Sequence, residues 1–296
     1  MTGSARERIA VIIGSGAMGL AAARRLGPAC RLLLADNSEA RLETAVRSLT
    51  DDGHRVDAMS VDVRDSASVT AVAAAAGAAG IVTAVIHTAG VSPSQADARD
   101  IFAINLVGTA HVIDRFLDVA SPGTSLVCVA SMAGHKQRVD PALESELATT
   151  PTDRLLDINL FDLGTRDTSF AYHVAKRGVH LRVAVASLAW GRKGARINSL
   201  SPGIIWTPMS SQEFAGERGD DMRLIVANLA VPRVGTPEDI SASIEFLCSP
   251  AAGYITGTDL LVDGGATAAR RWRPCPDRPA ERPAPDLGSE QAQTRG

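Results

Sequence analysis

Six short runs rich in β-branched residues or leucine, at 9–13, 31–35, 81–86, 125–130, 195–200 and 259–262, punctuate the chain, and the longer stretches between them are rich in Ala, Leu, Arg and Glu. Alternation of this kind predicts parallel βαβ units. The segments IAVII, TAVIH and SLVCVA are almost continuously apolar, as strands must be when helices cover both faces of their sheet. The expected fold class is α/β, a doubly wound, Rossmann-like three-layer α/β/α sandwich.

The chain has 296 residues, enough to bury a core without disulfides or metals. Its 33 acidic residues outnumber its 30 basic ones, so a nucleic-acid partner is not expected. Cys30, Cys128, Cys248 and Cys275 form no Cys-x-x-Cys pair, and the first three lie in apolar runs, reading as small buried hydrophobes of a reducing compartment. The apolar run near the start, Ile9 to Ile13, is too short for a secretory signal. The stretch from Val69 to Val91 is mostly alanine broken by Gly77 and Gly80, so no membrane span is expected and a cytoplasmic location is.

Residues 1–269 read as a single domain. Residues 270–296 hold five of the 15 prolines and read as a disordered Pro/Arg-rich tail. The polar and acidic segment 133–168 interrupts the alternation and reads as an inserted loop or lid covering the substrate pocket. Thr150-Pro151-Thr152-Asp153 and Thr236-Pro237-Glu238-Asp239 each predict a helix start, with a hydroxyl at the N-cap, proline next and a carboxylate three residues after the cap.

Directly after the first run comes Gly14-Ser15-Gly16-Ala17-Met18-Gly19, followed by helical character through Leu26. Glycines there permit a tight turn, a close backbone approach to a pyrophosphate, and close packing of helix on strand, with the helix N-terminus adding positive potential. Asp36 ends the second run, 17 residues beyond Gly19. A carboxylate there accepts hydrogen bonds from an adenosine ribose and repels a 2′-phosphate by about 1 kcal/mol or more. NAD is therefore expected over NADP, with Arg41 the only nearby cation and read as a solvated helix residue.

Tyr172 and Lys176 stand four residues apart on a helical stretch, so they project from one face. An ammonium ~4 Å from a phenol in a partly screened site contributes ~4 kcal/mol, about three pKa units, which brings the phenol toward neutral-pH proton exchange. Such a group suits the proton of a carbonyl/alcohol pair while hydride moves to or from a nicotinamide. Ser131 sits where a strand ends, in the crevice where parallel sheets bind ligands, placed to hold the reacting oxygen. His54, His111, His173 and His180 show no metal-ligand spacing, and no metal is implied.

From about Ile9 to Gly265 these features resemble the short-chain dehydrogenase/reductase family, with Tyr-x-x-x-Lys and an upstream serine its most specific mark. The resemblance implies a parallel sheet of about seven strands in the order 3-2-1-4-5-6-7. It implies Tyr172 as acid/base, Lys176 lowering its pKa and holding the nicotinamide ribose, Ser131 orienting the substrate oxygen, and Asn105 anchoring a relay water. The cofactor contacts it implies are Gly14, Ser15, Gly16, Met18 and Gly19 at the phosphates, Asp36 at the ribose, Asp62 and Val63 at adenine, Ala89 and Gly90 at a strand end, and Pro202, Gly203, Ile205 and Thr207 near the carboxamide, with Tyr172 and Lys176. Three departures stand out. The phosphate loop is Gly-x-Gly-x-x-Gly where common members have Thr-Gly-x-x-x-Gly-x-Gly; His87-Thr88-Ala89-Gly90 replaces Asn-Asn-Ala-Gly; and 40 residues separate Ser131 from Tyr172.

The expected activity is NAD(H)-dependent interconversion of a secondary alcohol and a ketone. Two alternatives stay open: an epimerase or dehydratase of the related extended branch, which normally adds a C-terminal substrate domain, and a dinucleotide sensor without turnover, which NADH binding without turnover would reveal. Apolar Trp206, Met209, Phe214 and Met222 point to a hydrophobic or cyclic small-molecule substrate. A homo-oligomer, dimer or tetramer, is expected through the helix carrying Tyr172, with Val179, Val183, Ala186 and Trp190 as the pairing face.

Overall fold

The computed structural model describes residues 6–136, 139–158, 167–216 and 219–272. Seven parallel strands, β1 (Arg8–Ile13), β2 (Arg31–Asp36), β3 (Val56–Ser60), β4 (Ile81–His87), β5 (Ser125–Val129), β6 (Arg196–Pro202) and β7 (Asp259–Val262), form one sheet. Their order, β3-β2-β1-β4-β5-β6-β7, is the one expected. It reverses between β1 and β4, and an open parallel sheet binds ligands at the carboxyl ends of its strands beside such a reversal.

Alternate residues of the strands feed two apolar layers. Val11, Ile13 and Leu33 face α3 (Ser66–Ala79), α5 (Gly108–Val119) and α7 (Thr168–Arg192), while Ile12, Leu32 and Leu34 face α1 (Ala17–Leu26), α2 (Glu39–Asp51) and α10 (Pro237–Cys248). Each fully buried Val, Leu or Ile stabilises the fold by about 1.5–3 kcal/mol. That is why the central strands have no polar alternation.

β3 has no counterpart among the six apolar runs. It is an edge strand, and Asp57 and Ser60 interrupt its apolar residues, so its sequence, VDAMS, carries little apolar signal. The Thr236 start is a full capping box, the Thr236 hydroxyl accepting from the Asp239 N–H and the Asp239 carboxylate accepting from the Thr236 N–H. The Thr150 start is not. Thr150 ends α6 (Pro141–Thr149), and a 3-10 turn, Thr152–Asp157, follows without a side-chain cap. The Thr152 hydroxyl donates instead to Asp114, and the Thr150 carbonyl accepts from Arg182.

Within the inserted segment, Asp140 caps α6 by accepting from the Ala142 N–H. Leu147, Leu155 and Ile158 bury against Ile101, Phe102 and Leu106. α6 lies along α7, tied by Arg177 to Glu144 at 2.7 Å. Phe102–Val107 form a π-helical turn between α4 (Ala98–Ile101) and α5. Of the expected tail, Arg270 to Trp272 belong to α11 (Ala266–Trp272), and the remainder lies outside the described residues, as does Cys275.

The expected pairing face on α7 is corrected. Val179, Val183 and Trp190 are fully buried in the chain's own core and Ala186 packs against it, because this side of α7 lies on the sheet. The large apolar side chains that α7 exposes are Val185 and Leu188. Among the described residues no helix is long and apolar enough to cross a membrane.

Candidate active site

Tyr172 and Lys176 lie one turn apart near the start of α7, and the Lys176 ammonium sits 5.7 Å from the centre of the Tyr172 ring. Lys176 is buried, with Nζ donating to the Val129 carbonyl at 3.2 Å. Burial pushes its pKa down to about 8, because a charge deprived of water favours its neutral form.

Ser131 follows β5 and caps a 3-10 turn, Met132–His135, its Oγ accepting from the Ala133 N–H at 3.1 Å. That bond uses an oxygen lone pair and leaves the hydroxyl hydrogen for another acceptor. Asn105 lies in the π-helical turn, fully buried, its side-chain amide paired with both backbone groups of Val91.

Ser131 and Tyr172 open into one cleft of about 450 Å³. Met18, Pro202, Gly203, Ile205 and Thr207 line the same cleft, so five of the expected cofactor positions lie with the two residues expected to engage the reacting oxygen. The backbone explains part of this. A side chain at Gly203 would fall 2.6 Å from the Asp263 Cα, so the end of β6 packs closely on the loop after β7. Thr207 and Ser210 cap α8 (Pro208–Ala215) reciprocally. Asn105 and Lys176 do not line the cleft; they stand behind it.

The remaining expected cofactor positions gather along the carboxyl edge of β1 to β4. Gly14 has φ +102°, a conformation side chains resist, and a Cβ there would meet the Ala89 nitrogen and the Thr88 hydroxyl at 2.6 Å. A Cβ at Gly19 would lie 1.9 Å from the Gly14 carbonyl. Gly16 differs, since a Cβ there would meet nothing within 4 Å. It is the N-cap of α1, which has no side-chain cap and no acidic residue in its first turn. An open cradle before uncapped amides fits the pyrophosphate of a dinucleotide.

Asp36 is buried at the end of β2. Its Oδ2 accepts from the Ser15 N–H and hydroxyl at 2.7 and 2.9 Å, and its Oδ1 from the Ser38 N–H at 3.0 Å and from Arg41 at 2.8 Å. Burial alone would raise its pKa, but these donors hold the carboxyl below the usual range. Arg41 is thus an ion-pair partner of Asp36 and not the freely solvated residue expected. Asp62 pairs with Arg64 at 2.7 Å, and Val63 packs against Gly108 at the start of α5. The Ala89 N–H donates to Ile13, and Gly90 lies against the Asn105 side chain. His87 donates to or accepts from Thr109 at 3.0 Å; burial, with Lys176 nearby, pushes its pKa down to about 3 and keeps it neutral.

The expected substrate residues divide. Met222, on α9 (Gly219–Ala227), lines the cleft, whereas Trp206 is 55% exposed and packs on Phe214 at 5.7 Å instead. From the inserted segment, Ala133 and Lys136 border the cleft. Ser92, Pro93, Lys136, Ser169, His173, Asp221, Ile225 and Arg270 also line it. They come from separate loops and helix ends, and no spacing in the chain announces them. A second group went unread: His135 and His180 flank Asp259, their Nε2 atoms 2.7 and 3.4 Å from its carboxylate oxygens.

A short chain dehydrogenase model matches residues 8–142 and an enoyl-(acyl carrier protein) reductase model matches residues 162–267. A short-chain dehydrogenase/reductase of Alternaria brassicicola is 38% identical over 87% of this chain and 95% of its own. The cis-4-hydroxycyclohexanecarboxylate dehydrogenase of Sinomonas cyclohexanicum is 29% identical over 88% of this chain and 97% of its own. Among solved structures, an actinorhodin polyketide ketoreductase with NADPH superposes with a TM-score of 0.70 at 24% identity, covering 88% of this chain and 97% of that one.

Proposed function

Starting from the premise that this chain belongs to the short-chain dehydrogenase/reductase family of oxidoreductases, we propose that it is an NAD(H)-dependent enzyme interconverting a secondary alcohol and a ketone, with Tyr172 as the acid/base. The observation that carries this reading is the shared opening of Ser131 and Tyr172 into one cleft, with the Lys176 ammonium 5.7 Å from the Tyr172 ring.

Members of the family use nicotinamide cofactors, and the bound nicotinamide supplies hydride transfer. The N-terminus of α1 with Gly14, Ser15, Gly16, Met18 and Gly19 would hold the phosphates, Asp36 the ribose, Asp62 and Val63 the adenine side, Ala89 and Gly90 the sheet edge, and Pro202, Gly203, Ile205 and Thr207 the carboxamide side. The buried Asp36 carboxylate supports NAD over NADP, because a 2′-phosphate would meet a fixed negative charge. Arg41 reduces that penalty without removing it, since its own charge is already paired with Asp36.

In the reducing direction the Tyr172 hydroxyl gives its proton to the substrate oxygen, and in the oxidising direction the phenolate takes it back. Lys176 favours the phenolate by its charge. Ser131 donates its free hydroxyl hydrogen to the same oxygen and fixes the carbon's orientation. Asn105, behind the cleft, holds the turn that borders Lys176.

A hydrophobic or cyclic alcohol or ketone suits the walls formed by Met132, Met222 and Ile225. The inserted segment is proposed to set substrate range through its first residues, Ala133 and Lys136. A homo-oligomer and a cytoplasmic location complete the reading. It is tested by following reduced-nicotinamide absorbance with a panel of secondary alcohols and ketones. Turnover with NAD(H) that disappears in Tyr172→Phe supports it; NADH binding with no turnover on any member overturns it in favour of a sensor.

A further inference from the structure

The charged side chains that line the cleft are unevenly signed. Lys136, after the Ser131 turn, and Arg270, on α11, both line it, and so does His173, next to Tyr172. Burial lowers the His173 pKa, both cations lie close enough to the ring to lower it further, and Asp167, at the start of α7, opposes them. His173 Nδ1 is buried without a hydrogen-bond partner. Among the described residues the acidic one in the lining is Asp221, exposed to solvent on α9, where its field is screened. Met132, Met222, Ile225 and Pro93 supply apolar wall.

We propose that the substrate carries an anionic group, a carboxylate on an apolar and preferably cyclic body, which Lys136 and Arg270 hold while Ser131 and Tyr172 engage the oxygen that reacts. The proposal rests on the reading of this cleft as the substrate site. Two cations on one rim attract an anion from solution and fix which end of the molecule lies deep, so they act on orientation as well as affinity. Neutral His173 offers a further polar contact without adding charge. The apolar walls oppose the body of the substrate, and a carboxylate turned toward them would lose its hydration uncompensated.

The experiment compares equilibrium binding of cyclohexanecarboxylate and of its methyl ester to the NAD-loaded protein by calorimetry, at low and high salt. The expected result is at least about tenfold tighter binding of the carboxylate. Its advantage shrinks in salt and is lost in Lys136→Gln/Arg270→Gln, while the ester binds the variant as it binds the parent. Equal or tighter binding of the ester, binding of neither compound, or an advantage that survives the double substitution overturns the proposal. NAD affinity, titrated on the same variant, separates the two sources of anion, since a loss of NAD binding alone would assign the cations to the cofactor phosphates and overturn it too. Turnover of neutral alcohols with NAD would still stand in each case, so failure here is distinct from failure of the oxidoreductase reading.

Discussion

Lys176→Met removes the cation beside Tyr172 and keeps most of the side chain's volume. At an effective dielectric of about 20, a unit charge 5.7 Å from the centre of the ring over which the phenolate charge is delocalised contributes about 3 kcal/mol, or about two pKa units and a hundredfold in rate. Stability moves the other way. Lowering Lys176 from 10.5 to about 8 means that holding it charged at neutral pH costs about 3 kcal/mol of folding free energy. Losing the bond to Val129 returns about 1–2 kcal/mol of that. The variant is therefore expected to be more stable by about 1–2 kcal/mol, with a Tm a few degrees higher. Its kcat/KM falls at least about a hundredfold. Thermal denaturation and steady-state kinetics on one preparation give both numbers. A residue placed for packing would lower both together, whereas one held at a cost for chemistry separates them. Activity within threefold of the parent, or a Tm lower by several degrees, would refute the reasoning.

Because Lys176 must be protonated to act, kcat/KM is expected to fall as pH rises through about 8, where the folded-state ammonium titrates. In the same range, up to the unfolded value of 10.5, the cofactor-free protein gains stability, since its unfolded state binds more protons there than its folded state; a flat rate profile or falling stability counts against the assignment. NAD is expected to give kcat/KM at least about fivefold above NADP, from repulsion of about 1 kcal/mol or more at Asp36, and Asp36→Ala to narrow the ratio; comparable values with the parent protein contradict the role of Asp36. Leu188→Arg is expected to break a homo-oligomer into smaller species with the fold intact, as followed by light scattering, whereas Val183→Arg unfolds the chain, because Leu188 is 73% exposed and Val183 fully buried. An unchanged mass for Leu188→Arg removes this face from the interface.

What the chain spells out locally was legible. The central strands read as apolar runs because both faces are covered, and the glycine loop falls between a strand and a helix as expected because its neighbours in sequence, β1 and α1, are also its neighbours in space. β3 escaped because an edge strand needs less apolar surface, and Asp57 and Ser60 break its pattern. The face of α7 was misread because this 25-residue helix is apolar on more than one side: Val179 and Val183 meet the sheet, Leu181 meets the cluster under α6, and Leu188 meets solvent. Periodicity gives the stripes without saying what lies against each. The cationic rim of Lys136 and Arg270 beside His173 and the group around Asp259 were invisible for a different reason. Their members come from separate elements, and only the completed fold brings them together.

The central claim is that the Tyr172 hydroxyl carries the proton. Tyr172→Phe removes that oxygen alone, and NADH affinity measured by fluorescence shows whether the cofactor site survives. The account expects NADH binding within a few-fold of the parent and kcat reduced at least about a hundredfold, the range for a lost acid/base group. A variant that binds NADH and turns substrate over at the parent rate would contradict it.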